Sequence, residues 1–198
     1  MKKLVLLLVM FLPLYLSAQK LGTIEGNKFE ETMFNNGINI KFRDFQLDEL
    51  EVAKKEIKVV GSIRVYKVDD EVSFYYRVKG GLKVPGVQYI GLKDRPKHIF
   101  LGFFSEKEII NIISKTEKML SEVNDDLALN PEYLDNKLVT DSKQEVGYVV
   151  KAGEVEWYLT LTENVGRSIR FENGNAILNA FKQALAKIEE LKTQGKLL

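Results

Sequence analysis

The chain has 198 residues, with 29 Lys and Arg against 28 Asp and Glu, a single histidine and no cysteine. Without cysteine there are no disulfides, thiolate metal sites or thiol nucleophiles, and one histidine, His98, cannot build a two-histidine zinc site. Near-neutral charge, with lysines interleaved among acids as in KKEIK (54–58) and KIEELK (187–192), sets up no field to draw nucleic acid and describes a solvated surface.

Residues 1–18 open with Lys2 and Lys3, continue through an apolar run, Leu4–Leu16, broken only by Pro13, and end on the small residues Ser17 and Ala18. A basic start, a short apolar run and a small-residue exit describe a secretory signal peptide. The run is shorter than the roughly 18 apolar residues of a spanning helix. Cleavage after Ala18 leaves Gln19 first, with no cysteine to carry a lipid anchor. The expectation is an exported protein, periplasmic or extracellular, with no membrane span after cleavage. Residues 19–198 then form a single domain, and a domain of that size removes about 70% of its unfolded surface from water.

In GINIKFRDF (37–45), Ile38, Ile40 and Phe42 alternate as in a strand, and LDELEVAKKEI (47–57) suits a short helix or irregular connection. Ser62–Val68 and Val72–Val78 then alternate about the two-residue loop Asp69-Asp70. A hairpin there pairs Val68 with Glu71, Val65 with Phe74 and Ile63 with Tyr76, which places the apolar sets on one face. The Gly- and Pro-rich stretch Gly80–Lys97 reads as a long loop or small extra hairpin. A third strand follows, with Ile99, Leu101 and Phe103 alternating.

The first helix has a legible start: Ser105 caps, Glu108 returns the bond, and Phe104 staples onto Ile109. Ile109, Ile112, Ile113, Leu120 and Val123 form its apolar stripe, with Thr116 a polar interruption. A polar connection, 125–143, carries the central Asn130-Pro131. Glu145–Lys151 and Val155–Leu161 form a second hairpin about Ala152-Gly153, pairing Lys151 with Glu154, Val150 with Val155 and Tyr148 with Trp157. The strand Ser168–Phe171 leads to a second helix with Asn173 as cap and Gly195 just past its end. Its stripe is Ile177, Phe181, Leu185, Ile188 and Leu191, and the two helices align Ile109 with Ile177 and Asn111 with Asn179.

The fold class is therefore α+β, with two β-β-β-α half-units, 57–124 and 144–193, building one antiparallel sheet with two long amphipathic helices on one face. The other face carries Arg64, Tyr66, Tyr75 and Arg77 in the first half, and Val149, Glu156, Tyr158 and Thr160 in the second. Tyr and Arg concentrate at binding hot spots, so Arg64, Tyr66, Tyr75, Arg77 and Tyr158, with Tyr89 from the long loop, are the candidate ligand- or partner-binding residues. The same tyrosines could equally serve only to cap a sheet.

Catalysis has less to work with. His98 has no Gly-x-Ser-x-Gly partner motif, and Glu71 and Glu154 sit beside hairpin turns, where acids are normally solvated. Glu122, Asn124 and Asp126 fail the calcium-loop pattern, with Leu127 where glycine belongs and Tyr133 where glutamate belongs. No cofactor, metal site or catalytic residue is assigned. The expected function is non-catalytic binding of a protein, a polymer or a small apolar molecule, and not of nucleic acid. One alternative is a carrier holding an apolar ligand between helices and sheet, lined by Phe100, Phe103, Phe104, Trp157 and Phe181. A carboxylate-dependent hydrolase ranks last.

Overall fold

The computed structural model describes residues 40–53, 57–68, 71–82, 97–161, 168–195 and 197–198. The signal-peptide reading, the loop Asp69-Asp70, most of the Gly80–Lys97 stretch and Tyr89 lie outside the described residues. In chain order the elements are β1 (Ile40–Glu49), β2 (Ile57–Val68), β3 (Glu71–Leu82), β4 (Lys97–Ser105), α1 (Glu106–Ala128), β5 (Leu134–Val139), β6 (Glu145–Lys151), β7 (Glu154–Thr160), β8 (Ser168–Phe171) and α2 (Gly174–Thr193). The strands form two four-stranded antiparallel sheets, ordered β1-β2-β3-β4 and β5-β6-β7-β8.

Both hairpins have the register that their alternation requires. Val68 pairs with Glu71, Val65 with Phe74 and Ile63 with Tyr76, while Lys151 pairs with Glu154, Val150 with Val155 and Tyr148 with Trp157. A slip of one residue would turn each apolar set outward. The helix starts also follow the sequence. The Ser105 hydroxyl accepts from the Glu108 N–H in a full capping box, and the Asn173 side chain accepts from the Ala176 N–H.

The architecture is α+β with two helices, but its units are four-stranded and its sheets are two, where the reading above has three-stranded units in one sheet. The fourth strands are β1, which the alternation in GINIKFRDF places ahead of the first unit, and β5, which it does not foresee. Strand β1 runs on through Glu49, where a helix or irregular connection was expected, and the Leu50 N–H then donates to the Val59 carbonyl at 2.9 Å. Strand β5 lies within the polar stretch 125–143, whose first residues complete α1. Leu134 and Leu138 face the core from β5, but Asn136 stands between them on the same face and interrupts the apolar alternation.

The two helices run antiparallel, tied by Lys192 to Glu106 at 2.6 Å and by Lys182 to Glu117 at 2.7 Å. Helix α1 lies against β3 and β4 of its own sheet and against β5, β6 and β7 of the other; α2 lies against β2 and β8. One apolar core therefore serves both units. On the first-sheet side Tyr76, Phe104 and Phe181 pack edge to face, with Phe181 centred 5.2 Å from Tyr76 and 5.0 Å from Phe104. On the second, Tyr148 and Trp157 lie 4.8 Å apart with Ile169 and Phe171. Thr116 is buried in the α1 stripe.

The sheets also meet directly. A Cβ on Gly102 of β4 would come within 2.7 Å of Leu161, which leaves no room for a side chain there. Glu108 spans the same seam: one carboxylate oxygen closes the capping box and the other accepts the Ser142 N–H at 3.1 Å. At another point of contact the Ala53 N–H donates to the Arg170 carbonyl of β8 at 2.9 Å.

Two substitutions test this packing. Alanine normally suits a helix better than glycine, but a Cβ on Gly174 would stand 2.8 Å from two ring carbons of Trp157 and 2.9 Å from Leu120. Gly174→Ala is expected to lower unfolding free energy by about 1–3 kcal/mol in urea titration. In the β6–β7 turn Ala152 and Gly153 both have positive φ, 53° and 77°, the geometry that Asn-Gly prefers. Ala152→Asn is expected to gain about 0.5–1 kcal/mol in the same measurement, because alanine is the strained residue there.

Candidate binding face on the first sheet

The outward face of the first sheet is built in rows by strand register. Asp44, Arg64 and Tyr75 lie side by side, flanked on one side by Gln46, Ser62, Arg77 and Phe103 and on the other by Phe42, Tyr66 and Ser73. Four of the six candidate residues, Arg64, Tyr66, Tyr75 and Arg77, thus converge.

At the centre, Arg64 donates to both carboxylate oxygens of Asp44, Nε to Oδ1 at 2.7 Å and Nη2 to Oδ2 at 2.8 Å, the planar fork for which arginine is suited. Its Nη1 reaches the Tyr66 hydroxyl at 3.5 Å, and Arg77 brings a second cation to 3.6 Å from Asp44. The Arg64 guanidinium is stacked over Phe42 at 4.3 Å and is 5.9 Å from Phe103, and Arg77 lies 5.6 Å from the Phe103 ring. Tyr66 meets Tyr75 edge-on at 5.8 Å.

Arg64 is 6% exposed and Tyr66 1%, so the central pair holds the face together and offers little to solvent. Phe42, by contrast, is 47% exposed at the rim. Burial pushes the Asp44 carboxyl up, but the Arg64 bond and the charges of Arg64, Arg77 and Lys79 outweigh it and hold the group below the usual carboxylate range. Burial likewise pushes the Tyr75 hydroxyl up, aided by the charge of Glu108.

Tyr158 does not join this cluster. It stands on the outward face of the second sheet, donating to Asp135 at 2.8 Å beneath Arg170, whose guanidinium lies 5.3 Å from the ring. Around it Lys137 bridges Asp135 at 3.4 Å and Glu145 at 3.1 Å, and Arg170 pairs with Glu156 at 2.5 Å. The bond to Glu145 leads the influences that raise the Lys137 ammonium. This face carries a short ladder in which two cations pair with three acids.

The remaining candidates fall elsewhere. Glu71 and Glu154 are exposed at the strand ends, and His98 pairs with Gly81 in the β3–β4 ladder. Glu122, Asn124 and Asp126 belong to the last turns of α1, where Asp126 accepts from the Tyr148 hydroxyl and Glu122 from Asn136. Burial and the Asp126 bond push Tyr148 up to about 12. Of the aromatics proposed to line a pocket, Phe104, Trp157 and Phe181 are core residues, whereas Phe103 sits on the opposite sheet face beneath the arginines. Phe103 thus shares no wall with the other three, and the side chain of Phe100 lies outside the described residues. Among the described residues no three His, Cys, Asp or Glu side chains gather as a metal site, and no helix is long and apolar enough to cross a membrane.

Sequence reasoning missed Asp44 and Phe42 as members of the cluster. The signal was present in the phase: Phe42, Asp44 and Gln46 alternate on one face of β1, and an acid between two large residues invites a cation from the next strand. The register that would have paired Asp44 with Arg64 was not derivable, because β1 and β2 are joined by a long connection with an irregularity after Gln46.

Removing the carboxylate tests the cluster. Asp44→Ala leaves Arg64 buried without its acceptor and is expected to cost about 3 kcal/mol, at the low end for a broken buried pair, because Asp44 is 27% exposed. Because the Asp44 pKa is depressed by folding, its stabilisation is complete above the ordinary carboxylate value and fades as pH falls through the lowered one. Acid unfolding of the wild type should therefore contain an increment below about pH 4 that Asp44→Asn, which cannot titrate, lacks. No protein-family model, curated protein or solved structure matches the chain.

Proposed function

We propose that the chain is exported on its N-terminal signal and acts by binding, without catalysis, through the rim of the first sheet. The observation that carries this reading is the contrast on that face: a centre closed by the Asp44–Arg64 pair, and a large aromatic, Phe42, left half-exposed and stacked on Arg64. An apolar anchor held in place before contact loses little freedom on binding, which is the property of an effective recognition residue.

The chemistry of the central carboxylate argues in the same direction. A general acid needs its pKa raised toward working pH, and Asp44 is shifted the other way. It is an acceptor that orients two arginines. The ligand or partner is one that presents an apolar surface to Phe42, within the classes of protein, polymer or small molecule with an apolar part.

Native mass spectrometry of the protein purified from its own cell envelope tests the reading. A chain beginning at Gln19 with a co-purifying species is expected, and Phe42→Ala should release that species while the melting temperature changes by only a few degrees. A chain retaining residues 1–18, or a co-purifying species that Phe42→Ala leaves in place, would overturn it.

A further inference from the structure

The outward face of the first sheet is buried, although both helices pack on the other side. Tyr66, Leu101 and Phe103 on that face are 1%, 7% and 1% exposed, and none of them belongs to the core that α1 and α2 share. Ser62, in the same row as Arg77 and Phe103, is 2% exposed. An antiparallel sheet with one face open shows the alternate side chains of that face to water. Here they are shielded across three strands, so a second layer lies over them.

The interactions of the face agree with this. Glu49, Arg64, Tyr66, Tyr75, Arg77 and Lys79 each make a polar, charged or ring interaction beyond those already given. By register all six stand on this one face: Glu49 is opposite Val60, which is in phase with Arg64 and Tyr66 along β2, and Tyr75, Arg77 and Lys79 alternate along β3. The covering layer must also answer a charge. Arg64, Arg77 and Lys79 surround the single acid Asp44, and cations buried in excess call for further carboxylates.

Residues 19–39 lie outside the described residues and lead straight into β1. Their central stretch, EGNKFEETMF (25–34), has both kinds of group that the face requires. Glu25, Glu30 and Glu31 outnumber Lys28, and Phe29, Met33 and Phe34 are large and apolar. The β3–β4 connection, by contrast, sets Lys83, Lys93 and Arg95 against Asp94 and would add to the positive charge. Reach is sufficient. Ile40 is level with the hairpin end of the sheet, and Lys79 lies about 27 Å along β3 from that end. The chain from Glu31 to Ile40 spans about 30 Å when extended.

We propose that residues 25–34 seat on the outward face of the first sheet, with their glutamates on Arg77 and Lys79 and their apolar side chains against Tyr66, Leu101 and Phe103. The face is then an internal interface, closed to an outside partner of the arginines while the segment is seated. Phe42 stays open at the rim, so this proposal and the binding reading can fail separately.

Carbodiimide cross-linking of the purified protein, mixed from isotope-labelled and unlabelled cultures, tests the contact. Peptide mapping should find Lys79 joined to Glu25, Glu30 or Glu31 of the same copy. A second measurement uses the absence of native cysteine: the thiol of Ser62→Cys should resist maleimide. Adding Glu30→Lys/Glu31→Lys should speed its labelling at least tenfold while a cooperative melt persists. Lys79 joined to Asp94, or to an acid of a second copy, would overturn the proposal, as would equal labelling with and without the charge reversals. If the reversed variant does not fold, the cross-link decides alone.

Discussion

The antiparallel packing of α1 on α2, with each helix in contact with both sheets, is the constraint on which the rest of the molecule depends. Either four-stranded unit alone has an apolar sheet face and an amphipathic helix. That helix buries its stripe fully only when the other unit supplies the opposing surface. Met119 and Ile112 of α1 and Ile188 and Leu191 of α2 belong to one continuous core that neither unit could close alone. Absence of disulfides is compatible with this arrangement, because the shared core gives a chain of this length enough buried apolar surface to stand unaided.

With the inward faces committed to the core, the outward faces are where the two units differ. The second sheet carries a ladder of short-range ion pairs about Tyr158 and Asp135, partly open to solvent and of modest energetic weight. The first carries arginines sunk among aromatic rings around one carboxylate. A buried pair of that kind is weak evidence for added stability, since well-packed apolar residues could replace it at little cost. What it supplies is position: Asp44 fixes Arg64, and Arg64 fixes Phe42. The exposed aromatic inherits its geometry from a pair that is itself mostly hidden.

Local features of this fold were legible in the sequence, and long-range ones were not. The two-residue loops and period-two patterns specified both hairpin registers, and Ser105 with Glu108 specified where α1 begins. These are signals whose physics is complete within a few residues. Strand β5 was hidden because Asn136 faces inward between its two leucines, where it donates to the Tyr148 hydroxyl. The division into two sheets was hidden because nothing local distinguishes a strand that continues a sheet from one that begins another. Of the candidate site, Arg64, Tyr66, Tyr75 and Arg77 could be placed on one face from the hairpin alone. Their burial, and the acid that organises them, came from β1, whose register depends on a connection that carries no turn signal.

The carboxylate of Glu108 has a further consequence. One of its oxygens completes the first turn of α1 and the other holds the turn between β5 and β6, some 34 residues away in sequence. The start of the first unit's helix and the seating of the second unit's first hairpin therefore draw on the same side chain. If that turn lifts, the cap loses an anchor; if the helix frays at its start, the hairpin loses its tether. A disturbance at either place is thus transmitted across the seam, and the two halves should open together and not one after the other.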